Sequence, residues 1–172
     1  YFVQAWFNKG ASHTKLLDIR GTIKSYQKVL ELGNGEDDFV ISARELLRDL
    51  ATNILRDSGL SLDQYLQSMD EFDRAFSDME NRRYEKAASG FRNVLKLDRK
   101  HAQSHGNLGL CYAYLGEKQD ALSEFDKALE IDPDYEPALT NRRLVRSLKE
   151  GEKIPDNQFE VVDHYKNVVA SK

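Results

Sequence analysis

Residues 121–133 read ALSEFDKALEIDP, and this stretch decides the fold. Its apolar side chains recur at spacings of three and four, which places Phe125 and Leu129 on one face of a helix. Pro133 lacks a backbone N–H and fixes its own φ, so the helix ends there. The stretch therefore predicts an amphipathic helix with a sharply defined end.

The same pattern occurs a second time, earlier in the chain. Phe91 precedes Phe125 by 34 residues, and Leu95 precedes Leu129 by the same interval. Three further pairs share that interval: Ala75 with Gly109, Ala87 with Ala121, and Asp98 with Asp132. A period of 34 residues is the length of one helix–turn–helix repeat unit. The sequence therefore predicts stacked helix pairs.

These segments resemble the tetratricopeptide repeat. Residues 107–112, NLGLCY, are similar to the first helix of that repeat, and residues 121–133 are similar to its second helix. Gly109 and Ala121 lack bulk where the two helices of the unit would cross. The resemblance implies an all-α, right-handed α-solenoid of antiparallel helix pairs that ends in a C-terminal capping helix.

The resemblance divides the chain into four parts. Residues 68–135 are predicted to form two well-formed repeats, although Arg99 replaces the terminating proline of the first. Residues 1–67 are predicted to form a more divergent, repeat-like half. Residues 136–154 are predicted to form the capping helix. Residues 155–172 are predicted to be a tail or a short helix.

The divergent half departs from the family pattern at its turns and helix crossings. Leu17 replaces the inter-helix glycine, and Thr22 replaces a small alanine. Gly59 is expected to end one helix, and Ser61 is expected to cap the next. Because no glycine or proline follows before residue 80, the sequence leaves open whether residues 60–80 form one helix or two.

The resemblance implies a protein- or peptide-binding scaffold whose first helices line a concave groove. The family's groove positions are the second, fifth, sixth, ninth, twelfth and thirteenth of each unit. Asn107 and Asn141 each offer a donor and an acceptor to a peptide backbone, and their apolar neighbours suit an amphipathic helix or an extended segment. Phe72 and Phe76 have the alternative of packing on the preceding helix. The predicted groove residues are Phe72, Phe76, Met79, Gln103, Asn107, Leu110, Tyr114, Thr140, Asn141 and Leu144.

One type of partner is predicted to be excluded. Some members of the family hold the C-terminal carboxylate of a chaperone between lysine, asparagine and arginine side chains. Here Phe72 and Phe76 occupy the first two of those positions, and Pro137 occupies another. Without the cations, nothing would offset the desolvation of a carboxylate. The sequence therefore predicts a partner other than a chaperone C-terminal carboxylate.

Composition excludes several other classes of function. The net charge of −4 gives no whole-chain signal for nucleic acid or anionic lipid. No apolar run approaches the roughly 20 residues of a membrane-spanning helix. Because the sequence begins with Tyr1 rather than Met, we expect a segment of a longer protein, and the sequence does not indicate a localisation.

No residue pattern indicates catalysis or a cofactor. His101 and His105 are four residues apart, but no third ligand accompanies them, so a metal site is not predicted. Cys111 lies on the packed face of its predicted helix and has no base beside it in sequence. Gly33 and Gly35 suit a turn rather than a phosphate-binding loop. The chain is therefore predicted not to be an enzyme and to need no cofactor or metal.

Two alternatives to a free-standing binding module remain. The array could be the non-catalytic adaptor segment of a larger enzyme. Less favoured is a nucleic-acid contact through the basic capping helix, because acidic residues elsewhere offset that charge and a solvated outer face explains it. The basic residues concerned are Arg142, Arg143, Arg146, Lys149 and Lys153.

Overall fold

The computed structural model describes residues 2–154, and this part of the chain is entirely α-helical, with eight helices and no strand. The prediction of an all-α fold made of helix pairs is confirmed. The helices are α1 (Phe2–Lys15), α2 (Ile19–Leu32), α3 (Asp38–Ser58), α4 (Leu62–Glu80), α5 (Tyr84–Leu97), α6 (Ala102–Leu115), α7 (Lys118–Ile131) and α8 (Glu136–Ser147).

The described residues fall into two compact units, the first up to Leu66 and the second from Gln67 onward. The predicted four-part division of the chain stays a prediction. Its last part, the tail or short helix of residues 155–172, lies outside the described residues.

In the first unit, α1 packs on α2 through a glycine and an aromatic ring. A Cβ on Gly10 would lie 2.6 Å from Cε1 of Tyr26, so only glycine lets the ring approach this closely. The ring of Phe7 contacts the rings of Tyr26 and Phe39, with centroid distances of 5.4 and 5.2 Å. Thr22 is buried in place of the expected alanine, and its hydroxyl donates to the carbonyl of Asp18 at 2.8 Å. The backbone bond removes the cost of burying that hydroxyl.

The helices α3 and α4 are longer than the others, at 21 and 19 residues. Gly59 ends α3 in the left-handed region at φ +76°, as predicted. Ser61 caps α4: its Oγ accepts from the backbone N–H of Gln64 at 3.2 Å, while Gln64 Oε1 accepts from the N–H of Ser61 at 3.0 Å. The question that the sequence leaves open has a clear answer, since Leu62–Glu80 is one uninterrupted helix.

In the second unit, small residues mark the helix crossings. A Cβ on Gly90 would lie 2.6 Å from Cβ of Ala75, so α4 and α5 meet there at close range. A Cβ on Gly109 would lie 2.9 Å from Cε1 of Phe125 and 3.0 Å from the carbonyl oxygen of Ala121, which is how α6 meets α7. This is the close approach that the resemblance predicts for Gly109 and Ala121.

The C-terminal end of α8 contacts the first residue of α7, Lys118. Lys118 Nζ donates to the carbonyls of Arg146, at 3.2 Å, and of Leu148, so it caps the C-terminal end of α8. Arg143 stands 34 residues after Gly109, at the same position of its helix, and it is exposed. The guanidinium of Arg143 thus stands in α8 at the position where, in α6, Gly109 leaves room for α7 to pack.

Candidate functional site

The predicted groove residues of the second unit lie on three helices. Eight of the ten are buried: Phe72, Phe76, Met79, Gln103, Asn107, Leu110, Tyr114 and Asn141. The remaining two, Thr140 and Leu144, are half-buried. The use of these residues to bind a partner stays a prediction, and the local packing shows what each is able to contribute.

Phe72 is a core side chain. Its ring lies edge-on to the ring of Phe91 at 5.5 Å and to that of His101 at 5.4 Å, and it stacks with Phe76 at 6.2 Å. The rings therefore join α4 to α5 and to the segment before α6. All three phenylalanine rings are buried, so Phe72 offers no free phenyl face.

Asn107 on α6 and Asn141 on α8 are both buried amides. They are 34 residues apart, at equivalent positions of successive helices, and are 3% and 2% exposed. Among the described residues, Nδ2 of Asn107 and Oδ1 of Asn141 have no hydrogen-bond partner. Buried polar atoms are nearly always paired, and leaving one unpaired costs about 1–3 kcal/mol. The site thus holds one unused donor and one unused acceptor.

Aromatic rings flank these amides in the second unit. Tyr114 stacks on Tyr84 with a centroid distance of 4.3 Å and nearly parallel planes. The ring of Tyr135 lies over Gly106, where a Cβ would come within 2.7 Å of Cε1. Burial raises the pKa of Tyr135, and the nearby Asp132 carboxylate raises it further. These rings therefore pack against α6 at Gly106 and at Tyr114, which precede and follow Asn107 in sequence.

The histidines of the second unit have structural partners. Nδ1 of His101 accepts from the backbone N–H of Ser104 at 3.1 Å and caps α6. Burial lowers the pKa of His101 to about 4, and the neighbouring His105 lowers it further. His105 lies 2.6 Å from Glu124, bridging α6 and α7. Burial raises the pKa of Glu124, but hydrogen bonds from His105 and Lys127 outweigh this and hold the pKa below its usual value.

No metal or nucleophile site emerges in the part of the chain that the structure describes. Across residues 2–154, no group of three His, Cys, Asp or Glu side chains is arranged to hold a metal ion. Burial raises the pKa of the Cys111 thiol to about 12, so at neutral pH it is a protonated, apolar filler.

Two charged residues of this face were not among the predicted groove residues. Asp73 and Glu80 lie on α4, and both are exposed. Asp73 is 34 residues before Asn107, and Glu80 is 34 residues before Tyr114, so each occupies a groove position of its own repeat. Applying the repeat register to every helix, rather than selecting apolar and amide residues, would have found them.

Comparison with known proteins agrees with this architecture. Residues 102–135, which contain α6 and α7, match the family model of the tetratricopeptide repeat. Helix pairs with this register define a class of repeat scaffolds whose role is protein interaction. Residues 102–135 are thus similar to one tetratricopeptide repeat, and no subfamily is identified. A comparison with curated proteins finds no significant match.

Solved structures with similar folds include several tetratricopeptide proteins. The TPR2AB domain of yeast Sti1 in complex with pHSP90 is 18% identical, with a TM-score of 0.47, 84% of this chain covered and 54% of that one. The C-terminal TPR-containing domain of a Plasmodium falciparum FK506-binding protein is 17% identical, with a TM-score of 0.46 and coverages of 84% and 86%. The MamA protein is 18% identical, with a TM-score of 0.47 and coverages of 84% and 80%. The chain thus spans about half the length of the Sti1 fragment, and similarity at this level does not indicate a shared partner.

Among the described helices, none is both long enough and apolar enough to cross a bilayer.

Proposed function

We propose that the second unit is a non-catalytic scaffold that binds a segment of a partner protein on the face formed by α4, α6 and α8. The tetratricopeptide repeat at residues 102–135 supports a role in protein interaction in general. The specific use of this face is our proposal, and it is carried by one observation: the unused donor of Asn107 and the unused acceptor of Asn141.

The chemistry of these two atoms matches a peptide backbone. An amide Nδ2 donates to a carbonyl, and an amide Oδ1 accepts from an N–H. Within residues 2–154 both atoms are buried without a hydrogen-bond partner, at a cost of about 1–3 kcal/mol each. A partner backbone that supplies the missing C=O and N–H removes this cost, so binding is favoured by atoms that the isolated fold leaves unpaired.

The same atoms favour an extended segment over a helix. In a helix, the N–H and C=O groups away from its ends are already paired within the helix. A helical partner would therefore cover Asn107 and Asn141 with side chains and leave both atoms unpaired. An extended segment presents free backbone groups, and it can seat apolar side chains beside the half-buried Thr140 and Leu144.

The proposal is tested by selecting short peptides that bind the full chain and then measuring their affinity for variants. We expect Asn107→Ala to weaken binding about five- to tenfold, which corresponds to the loss of a hydrogen bond of about 1–1.4 kcal/mol. Asn93→Ala is the matched control, because Asn93 is an exposed asparagine of α5 whose Oδ1 accepts from Lys96 at 3.0 Å. Fluorescence polarisation gives the affinities, and urea unfolding gives the stability of each variant.

The decisive comparison is between affinity and stability. Asn107→Ala relieves an unpaired buried donor but also truncates a buried side chain, and because these effects oppose each other the free energy of unfolding should change by less than about 2 kcal/mol. If Asn107→Ala lowers stability by several kcal/mol and leaves the affinity for peptides unchanged, Asn107 is a structural residue and the proposed site is wrong.

A further inference from the structure

We propose that Asn34, in the turn between α2 and α3, is a modification site at which the folded chain converts asparagine into isoaspartate and aspartate. The reaction is intramolecular, with the backbone nitrogen of Gly35 as its nucleophile and water as its only co-reactant. The site belongs to the first unit and the proposed binding face to the second, so this proposal does not rest on the proposed function.

The sequence singles out this asparagine. Asn34 is followed by glycine, whereas every other asparagine of the chain is followed by a residue with a longer side chain. The difference matters because the nucleophile is the nitrogen of that following residue. Glycine has no Cβ to hinder the approach, and its backbone dihedrals are free to change as the ring closes. Asn34 is therefore the position of this chain at which such a reaction is least hindered.

The turn folds the side chain of Asn34 back toward the backbone. Its Oδ1 accepts from the N–H of Glu36 at 3.4 Å, and its backbone carbonyl accepts from the N–H of Asp37 at 3.0 Å. The first of these bonds closes a small ring, and both Cγ of Asn34 and the nitrogen of Gly35 are members of that ring. The carboxamide carbon and the nitrogen that attacks it are thus held in one compact turn.

The nucleophile is accessible to solvent. Within residues 2–154, the N–H of Gly35 donates to no acceptor. Asn34, Gly35 and Glu36 are all exposed, and a Cβ on Gly35 would meet nothing within 4 Å. Solvent base therefore reaches the N–H that must lose its proton, and the surroundings leave space for the turn to close into a ring.

The reaction is an exchange of amides followed by hydrolysis. Solvent base removes the proton of the Gly35 N–H, because the protonated amide is a weak nucleophile. A bond forms between that nitrogen and Cγ of Asn34, the Cγ–Nδ2 bond breaks, and Nδ2 leaves as ammonia with a proton from solvent. Water then opens the succinimide: cleavage between the nitrogen and Cγ gives aspartate, and cleavage between the nitrogen and the backbone carbonyl carbon gives isoaspartate. One water is consumed and one ammonia is released, with no change of oxidation state.

The two products differ in their effect on the start of α3. Both place a carboxylate near Asp37, the N-cap residue of that helix. Isoaspartate also routes the backbone through Cγ, which adds one carbon to the turn and removes the backbone carbonyl that accepts from Asp37. The adjoining Gly33 has no room to adjust, since a Cβ there would overlap Cγ2 of Val40. We therefore expect isoaspartate to disturb the packing of α2 on α3 and aspartate to preserve it.

The test follows the tryptic peptide of residues 29–44, in which Asn34 is the single asparagine. After incubation of the full chain at pH 7.4 and 37 °C, we expect this peptide to gain the mass that accompanies replacement of NH2 by OH. An unincubated sample gives the background. Fragmentation by electron transfer should show isoaspartate at position 34, which is decisive because direct hydrolysis of the side-chain amide gives aspartate alone. The rate should rise about five- to tenfold from pH 7 to pH 8, since the deprotonated fraction of a weakly acidic N–H grows with hydroxide.

Gly35→Ala is the matched variant, because it places a Cβ beside the nucleophile at a position where the fold has space for one. It should slow the formation of isoaspartate at least about fivefold. Asn81 is the internal control, since it is also exposed in a turn but is followed by Arg82, and it should remain unchanged over the same period.

Three outcomes would overturn the proposal. The first is an unmodified Asn34 in the native chain under conditions in which a synthetic peptide of residues 29–44 forms isoaspartate, because the turn would then prevent the attack. The second is aspartate without isoaspartate. The third is an equal rate in Gly35→Ala and in the wild type.

The structural effect is measured on the incubated chain against Asn34→Asp, which carries the same charge on an unaltered backbone. We expect the incubated chain to unfold at a lower urea concentration than this variant. Equal midpoints would show that the turn accommodates the longer backbone, and would overturn the expected effect on α3.

Discussion

At the residue scale, three turns share a backbone conformation that their sequences do not share. Leu17, Arg82 and Gly116 occupy the turn between the two helices of a pair, and all have positive φ, at +58°, +58° and +86°. Only Gly116 is a residue that adopts this region without strain. Leu17 thus keeps a left-handed φ at this turn although a leucine stands in place of the expected glycine.

Glycine substitutions should separate backbone strain from crowding. Gly116→Ala is expected to cost about 1–3 kcal/mol, since φ is positive and the added Cβ would lie 3.0 Å from the carbonyl oxygen of Gly151. Gly151→Ala has the strain without the crowding and should cost less. Gly35→Ala meets nothing within 4 Å and has no positive φ, so it should change stability by less than about 1 kcal/mol. Urea unfolding measures the free energy of unfolding of the three variants and so ranks them. Equal losses of stability in all three would contradict this explanation.

His101 gives the second unit a pH dependence. Its Nδ1 accepts from the N–H of Ser104, so the folded chain needs the neutral ring, and burial lowers its pKa to about 4. The unfolded chain protonates this histidine near pH 6.5. The contribution of neutral His101 to the free energy of unfolding is therefore fully present above pH 6.5. It is lost as the pH drops toward 4, by up to about 3 kcal/mol.

The variant His101→Asn isolates this effect. Asparagine keeps an acceptor at the N-cap of α6 but does not titrate. Unfolding free energies measured at pH 4.5, 5.5, 6.5 and 7.5 should fall less steeply for the variant than for the wild type. Parallel curves would show that His101 contributes nothing to the acid sensitivity, and that other groups cause it.

At the element scale, α4 shows how local chemistry sets a helix start that the repeat pattern does not predict. The pair Ser61 and Gln64 satisfies two backbone N–H groups at once. Ser61→Ala is expected to cost about 1 kcal/mol, and the double variant with Gln64→Ala should cost less than the sum of the two single changes. Ser89→Ala, at an exposed position within α5, is the control and should be nearly neutral. Additive losses in urea unfolding would mean that the two side chains do not act together.

Most of the fold could be predicted because the repeat is encoded by side-chain volume. Gly109, Ala121 and Phe125 recur at fixed intervals, and each performs in the structure the packing role that its size implies. The single helix Leu62–Glu80 could not be predicted, because continuity there depends on tertiary packing and no helix breaker marks either outcome.

The candidate site was predicted less completely than the fold. Sequence position places Asn107 and Asn141 on one face, but it cannot show that one atom of each lacks a partner, which depends on every neighbouring side chain. For Phe72 the sequence leaves open whether the ring lines the groove or packs within the fold, and only the structure shows its contacts with Phe91 and His101. Burial and hydrogen bonding are properties of the assembled unit rather than of the repeat pattern.

At the scale of the whole molecule, the net charge does not show where the charged residues lie on the helices. A total of −4 for 172 residues is mild. In the second unit, however, the groove positions carry only Asp73 and Glu80, while Arg143 and Arg146 lie on the outer side of α8. Whole-chain composition therefore does not report which side of a helix carries each charge.

Arg143 also distinguishes the last described helix from the one two before it. In α6, the bare backbone of Gly109 admits the ring of Phe125 from α7, and this contact closes the helix pair. In α8, an exposed arginine stands at the same position, so a helix packed on α8 as closely as α7 packs on α6 would bury a guanidinium. A designer who wished to build such a pair on α8 would therefore first replace Arg143 with glycine.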